Sequence, residues 1–237
     1  MKRVLAILNI GDDPTGYVGE ILAKHGIACD VINASQETIP APTLYNAMIV
    51  FGGPQNANED DKYPYFIQEK AALRQAVEQE VPVLGICLGG QLLATVLGGT
   101  VRKHTLTEIG FSKVQCTAEG LNDPLYAGLS GQQMVYQWHE DTFDIPLGAV
   151  RLATSEKTAN QAFRYGRTAY GLQYHIELTP QMLDTWLHEP SLKEEIISTL
   201  GSDEYERIMR ERPQYERLYR EHTRVVVENF LHIVEVI

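Results

Sequence analysis

Over the first hundred positions, apolar residues come in short unbroken runs separated by stretches of helical period. Residues 4–9, 28–32, 47–51 and 83–86 are such runs. Their length and their bounding turn residues predict buried strands. Between them, residues 16–25, 64–80 and 88–97 repeat apolar positions at helical spacing, with Gly26 closing the first helix and Gly98-Gly99 the last. Strand and helix alternate, which predicts an α/β fold: a parallel sheet with helices on both faces. In such a sheet, ligands bind beyond the carboxyl ends of the strands.

From Thr100 the pattern changes. Residues 110–117, 133–137, 150–153, 161–165 and 169–174 predict shorter strands in an antiparallel section. Helices follow from Pro180, with Thr179 as N-cap and Pro180 in the first helical position. Residues 213–236 are amphipathic: Tyr215, Leu218, Tyr219, Val226, Phe230 and Ile233 recur at helical spacing. This apolar face is expected to pack on its own domain; a docking surface for a second chain is the alternative. The expected organisation is a catalytic domain over 1–189 and a helical extension over 190–237.

Composition narrows the picture by exclusion. The chain has 237 residues and a formal net charge of −11. That charge argues against nucleic acid or an anionic membrane as the main partner. No apolar run is long enough to span a bilayer. The first ten residues superficially resemble a secretory leader, but Gly11-Asp12-Asp13-Pro14 stands where a small-residue cleavage site is needed. The cysteines are Cys29, Cys87 and Cys116, without CxxC or metal-ligand spacing. A reducing, cytoplasmic setting is expected, with no disulfide framework, metal or cofactor.

Cys87 carries the candidate chemistry. It lies in Gly85-Ile86-Cys87-Leu88-Gly89-Gly90-Gln91, where a predicted strand meets a predicted helix. Glycines two residues away on either side make this a nucleophile elbow with Cys in place of Ser. The helix that follows aims its N-terminal N–H groups at the sulfur and favours the thiolate. The N–H of Leu88, just after the nucleophile, becomes a donor to a tetrahedral oxyanion. A base and its orienting group are supplied by His175 and Glu177, in Gln173-Tyr174-His175-Ile176-Glu177. Residues i and i+2 of a strand share a face, so the carboxylate can orient the imidazole. Cys29 and Cys116 have no such partners and read as small buried hydrophobes.

With Phe51-Gly52-Gly53-Pro54, these motifs resemble the class I (triad-type) glutamine amidotransferases, and are similar to the glutaminase domain of GMP synthetases. The resemblance covers roughly residues 1–189. It implies a flavodoxin-like three-layer sandwich with a central, mostly parallel sheet. It implies Cys87, His175 and Glu177 as the catalytic triad, and Gly53 as the second oxyanion donor beside Leu88. It also implies that Gln91 lies near the substrate, as does Gln137-Trp138-His139, read as a polar segment following a strand. The implied substrate is glutamine or another γ-glutamyl compound.

Neither a Gly-x4-Gly-Lys-Ser/Thr phosphate loop nor an SGGxDS-type pyrophosphatase motif occurs in the sequence. A separate synthetase subunit is therefore expected to use the ammonia, unless the enzyme acts alone. Two alternatives stand beside the glutaminase reading. One is a γ-glutamyl hydrolase or peptidase, which uses the same acyl-enzyme. The other is a non-catalytic regulatory or binding module that retains the fold.

Overall fold

A computed structural model describes residues 2–10 and 15–237; Gly11-Asp12-Asp13-Pro14 lies outside the described residues. The first half contains β1 (Arg3–Leu8), α1 (Gly16–Lys24), β2 (Ala28–Asn33), β3 (Ala47–Val50), α2 (Tyr65–Glu78), β4 (Val83–Ile86) and α3 (Leu88–Val96). The second half contains β5 (Val101–Cys116), α4 (Ala118–Leu121), β6 (Gln132–Phe143), β7 (Ala149–Thr154), β8 (Ala162–Tyr165) and β9 (Ala169–Leu172). It closes with α5 (Pro180–His188), α6 (Pro190–Leu200) and α7 (Ser202–Ile233).

The described strands form one sheet in the order β2-β1-β3-β4-β9-β8-β7-β5-β6. The first five run parallel. From β9 to β6 every pairing is antiparallel. Alternate residues of the parallel strands serve two different cores, as a period of two requires. Val4, Ala6, Ile49 and Leu84 pack on one face with Val18 and Leu22 of α1 and Val226 and Phe230 of α7. Leu5, Ile7, Met48 and Val83 pack on the other face with Leu73 of α2 and Leu92 of α3. Helix, sheet and helix make the expected three layers. No helix among the described residues is long and apolar enough to cross a membrane.

The structure departs from the sequence expectations in three places. First, β5 and β6 are longer than predicted and pair along most of their length, with a register shift between Lys103 and Glu108. Trp138 and His139 therefore lie within β6, as Gln137 does, rather than in a segment after the strand. Ladder pairing outweighs the polar character of these residues, whose side chains read as loop. Second, β9 ends at Leu172, so His175 lies beyond the strand and not at its end. The chain bends at Gln173 and re-pairs across the curled sheet through an isolated bridge between His175 and Tyr136. Third, α7 begins at Ser202 and continues through Pro213. Proline removes one i to i−4 hydrogen bond and usually breaks a helix. Here Ile208 and Tyr219 are buried on either side, and Arg212 pairs with both Asp184 and Glu216. The apolar face of α7 packs against the sheet of its own chain.

Candidate active site

The turn from β4 into α3 is tight enough that three glycines are needed. A Cβ on Gly85 would lie 2.5 Å from the carbonyl oxygen of Gly89. One on Gly89 would lie 2.7 Å from the carbonyl carbon of Val50, and one on Gly90 2.5 Å from the carbonyl oxygen of Leu172. Through these contacts α3 rests directly on the backbones of β3, β4 and β9. Cys87, at the apex, has φ 51° and ψ −110°. A non-glycine residue rarely adopts a positive φ, and holding it there requires support from its surroundings. The Cys87 N–H provides some of it, donating to Leu172 O at 2.8 Å.

His175 is brought to Cys87 by contacts from several segments. Its N–H donates to Tyr136 O at 2.9 Å. Its Nδ1 lies 2.6 Å from Glu177 Oε1, and Ile176 N–H donates to Glu177 Oε2 at 2.9 Å. Cys87 lies beside the ring and interacts with it electrostatically. With Nδ1 engaged by Glu177, Nε2 is the nitrogen left for the sulfur. Burial disfavours the charged ring, but the charges of Glu177 and Cys87 raise the His175 pKa well above its ordinary value. Trp186 of α5 stacks edge-on against the ring, with centroids 5.0 Å apart. The peptide unit that follows Glu177 is also tied down at both its polar groups. Tyr17 N–H donates to Glu177 O at 2.6 Å, and Leu178 N–H donates to the Tyr219 hydroxyl of α7 at 2.9 Å.

Cys87 and His175 line a cavity of about 970 Å³, together with Gly52 and Gly53. Gly52 approaches both side chains closely: a Cβ there would lie 3.0 Å from His175 Cε1 and 3.4 Å from Cys87 Cβ. Gly53 sits against Leu88, whose Cδ2 would be 3.1 Å from a Cβ at that position. Gln91, Trp138 and His139 also line the cavity. The Trp138 carbonyl is 3.7 Å from Cys87 Sγ, and its indole N–H donates to Glu195 at 3.3 Å. His139 Nδ1 donates to Asp141 O at 2.9 Å, and burial lowers its pKa to about 4, so the ring is neutral. Gln137 does not line the cavity. Its side chain is buried and its Nε2 donates to Gln161 Oε1 at 3.1 Å. Among the described residues, no three His, Cys, Asp or Glu side chains cluster as a metal site would require.

Sequence reasoning missed several residues of this neighbourhood. Gln173 Nε2 lies 4.0 Å from Cys87 Sγ. Its signal was present, since it precedes His175 by two in an alternating segment. Trp186 and Tyr219 carried no local signal, because they reach His175 and Leu178 only through tertiary packing.

A thiol, an imidazole and a carboxylate linked in this order can generate a thiolate and return a proton to a leaving group. Comparison with known proteins points the same way. A family model described as glutamine amidotransferase class-I matches residues 6–193. The glutamine amidotransferase-like protein YfeJ of Salmonella typhimurium is 34% identical over 156 residues, 65% of this chain and 65% of that protein. The glutamine-hydrolyzing GMP synthase of Spiroplasma kunkelii is 29% identical over 182 residues, 76% of this chain but 33% of its own length. The chain thus spans less than two thirds of these curated relatives. Among solved structures, a glutamine amidotransferase from Thermotoga maritima aligns with a TM-score of 0.86 at 30% identity, covering 99% of this chain and 98% of that one.

Proposed function

The chain belongs to the class-I glutamine amidotransferase family, and from that premise we propose that it hydrolyses a γ-glutamyl amide through a thioester on Cys87. The observation that carries this reading is the buried Cys87–His175–Glu177 chain lining the cavity. The Cys87 thiolate attacks the γ-carbonyl carbon. His175 holds the thiol proton and passes it to the departing amine, which leaves the γ-glutamyl thioester. His175 then takes a proton from water, the hydroxide adds to the thioester, and glutamate and the free thiol are regenerated. Glu177 keeps Nδ1 engaged and stabilises the imidazolium. The N–H groups of Leu88 and Gly53 receive the oxyanion, an effect typically worth ~3 kcal/mol per donor. Gln91, Trp138 and His139 are assigned to substrate binding.

Free glutamine is the simplest substrate, with ammonia as the first product. The likeness to glutamine-hydrolyzing GMP synthases supports glutamine and a synthetase partner that consumes the ammonia. One observation favours a second reading, hydrolysis of γ-glutamyl peptides or amines. A cavity of about 970 Å³ is at the upper end of the roughly 300–1,000 Å³ typical of small-molecule sites. Its walls extend to Trp186, Leu192 and Glu195 of α5 and α6, and glutamine alone does not fill that space.

Incubating the purified chain with glutamine and with γ-glutamyl dipeptides and amines tests both readings, with ammonia, released amine and glutamate measured separately. The expected result is stoichiometric glutamate with one of the amines, abolished in Cys87→Ala. Wild-type turnover in Cys87→Ala would overturn the mechanism.

A further inference from the structure

Glu69 is a carboxylic acid on the inward face of α2 with no solvent exposure. Its neighbour across the gap is Asn9, just beyond the end of β1 and 4% exposed. Asn9 Nδ2 has two hydrogens and uses both. One is donated to Glu69 Oε1 at 3.0 Å, the other to Phe51 O at 3.2 Å. Phe51 opens the Phe51-Gly52-Gly53-Pro54 loop. Its N–H is held by Ile7 O at 2.9 Å, the last tie of that strand to the sheet. The β3–β4 ladder has already ended at Val50 and Gly85. Asn9 therefore supplies the hydrogen bond that the ladder no longer provides.

The same asparagine reaches the rest of the loop. Its backbone carbonyl accepts from Gln55 Nε2 at 2.9 Å, and its Cβ would lie 2.9 Å from a Cβ on Gly53. A peptide unit is planar, and in the trans form its C=O and N–H point in opposite directions. Anchoring the Phe51 carbonyl therefore aims the Gly52 N–H away from Asn9 and sets where the Gly52–Gly53 peptide begins. Two glycines in succession have no side chains to fix this direction for themselves.

We propose that Glu69 and Asn9 form a buried strut that positions the Gly52-Gly53 backbone for oxyanion binding, so that Glu69 is a positioning residue for the reaction at Cys87. The inference rests on the reading of Cys87 as nucleophile and of this loop as an oxyanion donor. The environment of Glu69 fits the assignment. Burial raises its pKa to about 7, only partly offset by the Asn9 hydrogen bond and the charge of Lys70. Lys70 and Tyr65 are the titratable side chains that face it, both from α2. Asn9, which approaches from the end of β1, does not titrate. Glu69 Oε2, Asn9 Oδ1 and Gln55 Oε1 have no hydrogen-bond partner among the described residues. The hydrogen bond Glu69 accepts from Asn9 is the contact that leads to the loop.

Glu69→Gln, Glu69→Leu and Asn9→Ala test the strut, read by steady-state kinetics and by hydrogen exchange at the Gly52 and Gly53 amides. Glutamine keeps an acceptor for Asn9, whereas leucine and alanine break the chain of bonds. Glu69→Leu and Asn9→Ala are expected to lower kcat by about tenfold or more with KM nearly unchanged, since the loop acts on the transition state. Glu69→Gln should stay within about threefold of wild type. Exchange at the two glycine amides should quicken about tenfold in the Leu and Ala variants only. Wild-type kcat or wild-type exchange in a folded Glu69→Leu protein would overturn the strut, as would a Glu69→Gln variant as impaired as Glu69→Leu. If Glu69→Leu does not fold, Asn9→Ala decides by the same two readouts. Full activity in Cys87→Ala would instead refute the underlying reading, and the exchange measurement would still judge the strut.

Discussion

Cys87 and His175 meet at one point but are held there by different means. Cys87 belongs to the parallel half of the sheet. Its position follows from a few consecutive residues: the end of β4, a turn with positive φ, and three glycines that let α3 touch β3, β4 and β9. His175 belongs to the antiparallel half and lies beyond the end of its strand. It is held by Tyr136 of β6, with Tyr17 of α1 and Tyr219 of α7 securing the adjoining Glu177–Leu178 backbone. Local covalent geometry sets Cys87, and contacts from distant segments set His175. The second kind of placement extends beyond the region of family similarity, since Tyr219 lies outside the matched residues 6–193.

The contrast predicts graded losses of activity. Cys87→Ala should lower turnover by about 10⁵-fold or more while leaving the fold intact, because in the proposed mechanism the thiol forms the covalent bond. Circular dichroism and single-turnover kinetics would check this, and labelling by an electrophilic glutamine analogue should fall on Cys87 and spare Cys29 and Cys116. His175→Ala should come next, at about 10⁴-fold, since the proposed mechanism has His175 move protons in both half-reactions. Glu177→Gln should cost less, about 10²-fold to 10³-fold, because an amide still accepts the Nδ1 hydrogen bond but does not stabilise the imidazolium. A Glu177 variant more damaging than His175→Ala would mean that placement of the base, and not its proton transfer, is the dominant contribution of this half.

The same comparison can be broken on the other side through the backbone. Gly89→Ala would drive a methyl group into the Val50 carbonyl, with the Val50 Cγ1 at 2.9 Å. Neither strand nor helix can yield easily there, so a loss of about 4 kcal/mol is expected in denaturant unfolding. If Gly89→Ala were as stable as wild type, close contact between α3 and β3 would not be what fixes the elbow.

How much could be read from the sequence follows the same divide. In the first half, strands buried on both faces appear as unbroken apolar runs, and β4 is found at residues 83–86 as expected. The elbow was visible because its chemistry requires glycines at set distances from Cys87. In the second half, β5 and β6 carry polar stretches at one end, residues 102–108 and 139–142, so these ends passed for loop. The path of Gln173 to Glu177 off β9 depends on sheet curl, which no local pattern encodes. The passage of α7 through Pro213 depends on Ile208, Tyr219 and the Arg212 ion pairs, which become neighbours only in the fold. Glu69 was hidden for a similar reason: in a helix of mixed character, one glutamate gives no sign that it faces inward.

The two halves should also respond to pH in opposite directions. In the parallel half, burial raises Glu69 from an ordinary 4.5 to about 7. Between these values the folded protein holds a proton that the unfolded chain has released. The Glu69 contribution to stability is therefore full below pH 4.5 and lost as pH rises through 7. In the antiparallel half, burial lowers His139 from 6.5 to about 4. Here the unfolded chain binds the proton that the folded protein refuses. The His139 contribution is full above pH 6.5 and lost as pH falls toward 4. Each displacement spans about 2.5 pH units, worth roughly 3 kcal/mol, and the two windows nearly coincide. In the wild type they cancel across pH 4.5–6.5. Glu69→Gln removes the first and should make stability climb with pH by roughly 3 kcal/mol over this interval. His139→Asn, which retains a donor for Asp141 O, removes the second and should make stability decline with pH by a similar amount. Urea unfolding of wild type and both variants at several pH values across the window measures the slopes directly. If both variants tilt the same way, the opposed titration of the two halves is wrong. If only Glu69→Gln changes the slope, His139 is not the group that offsets it, and the neutral imidazole in the cavity wall would lose its energetic basis.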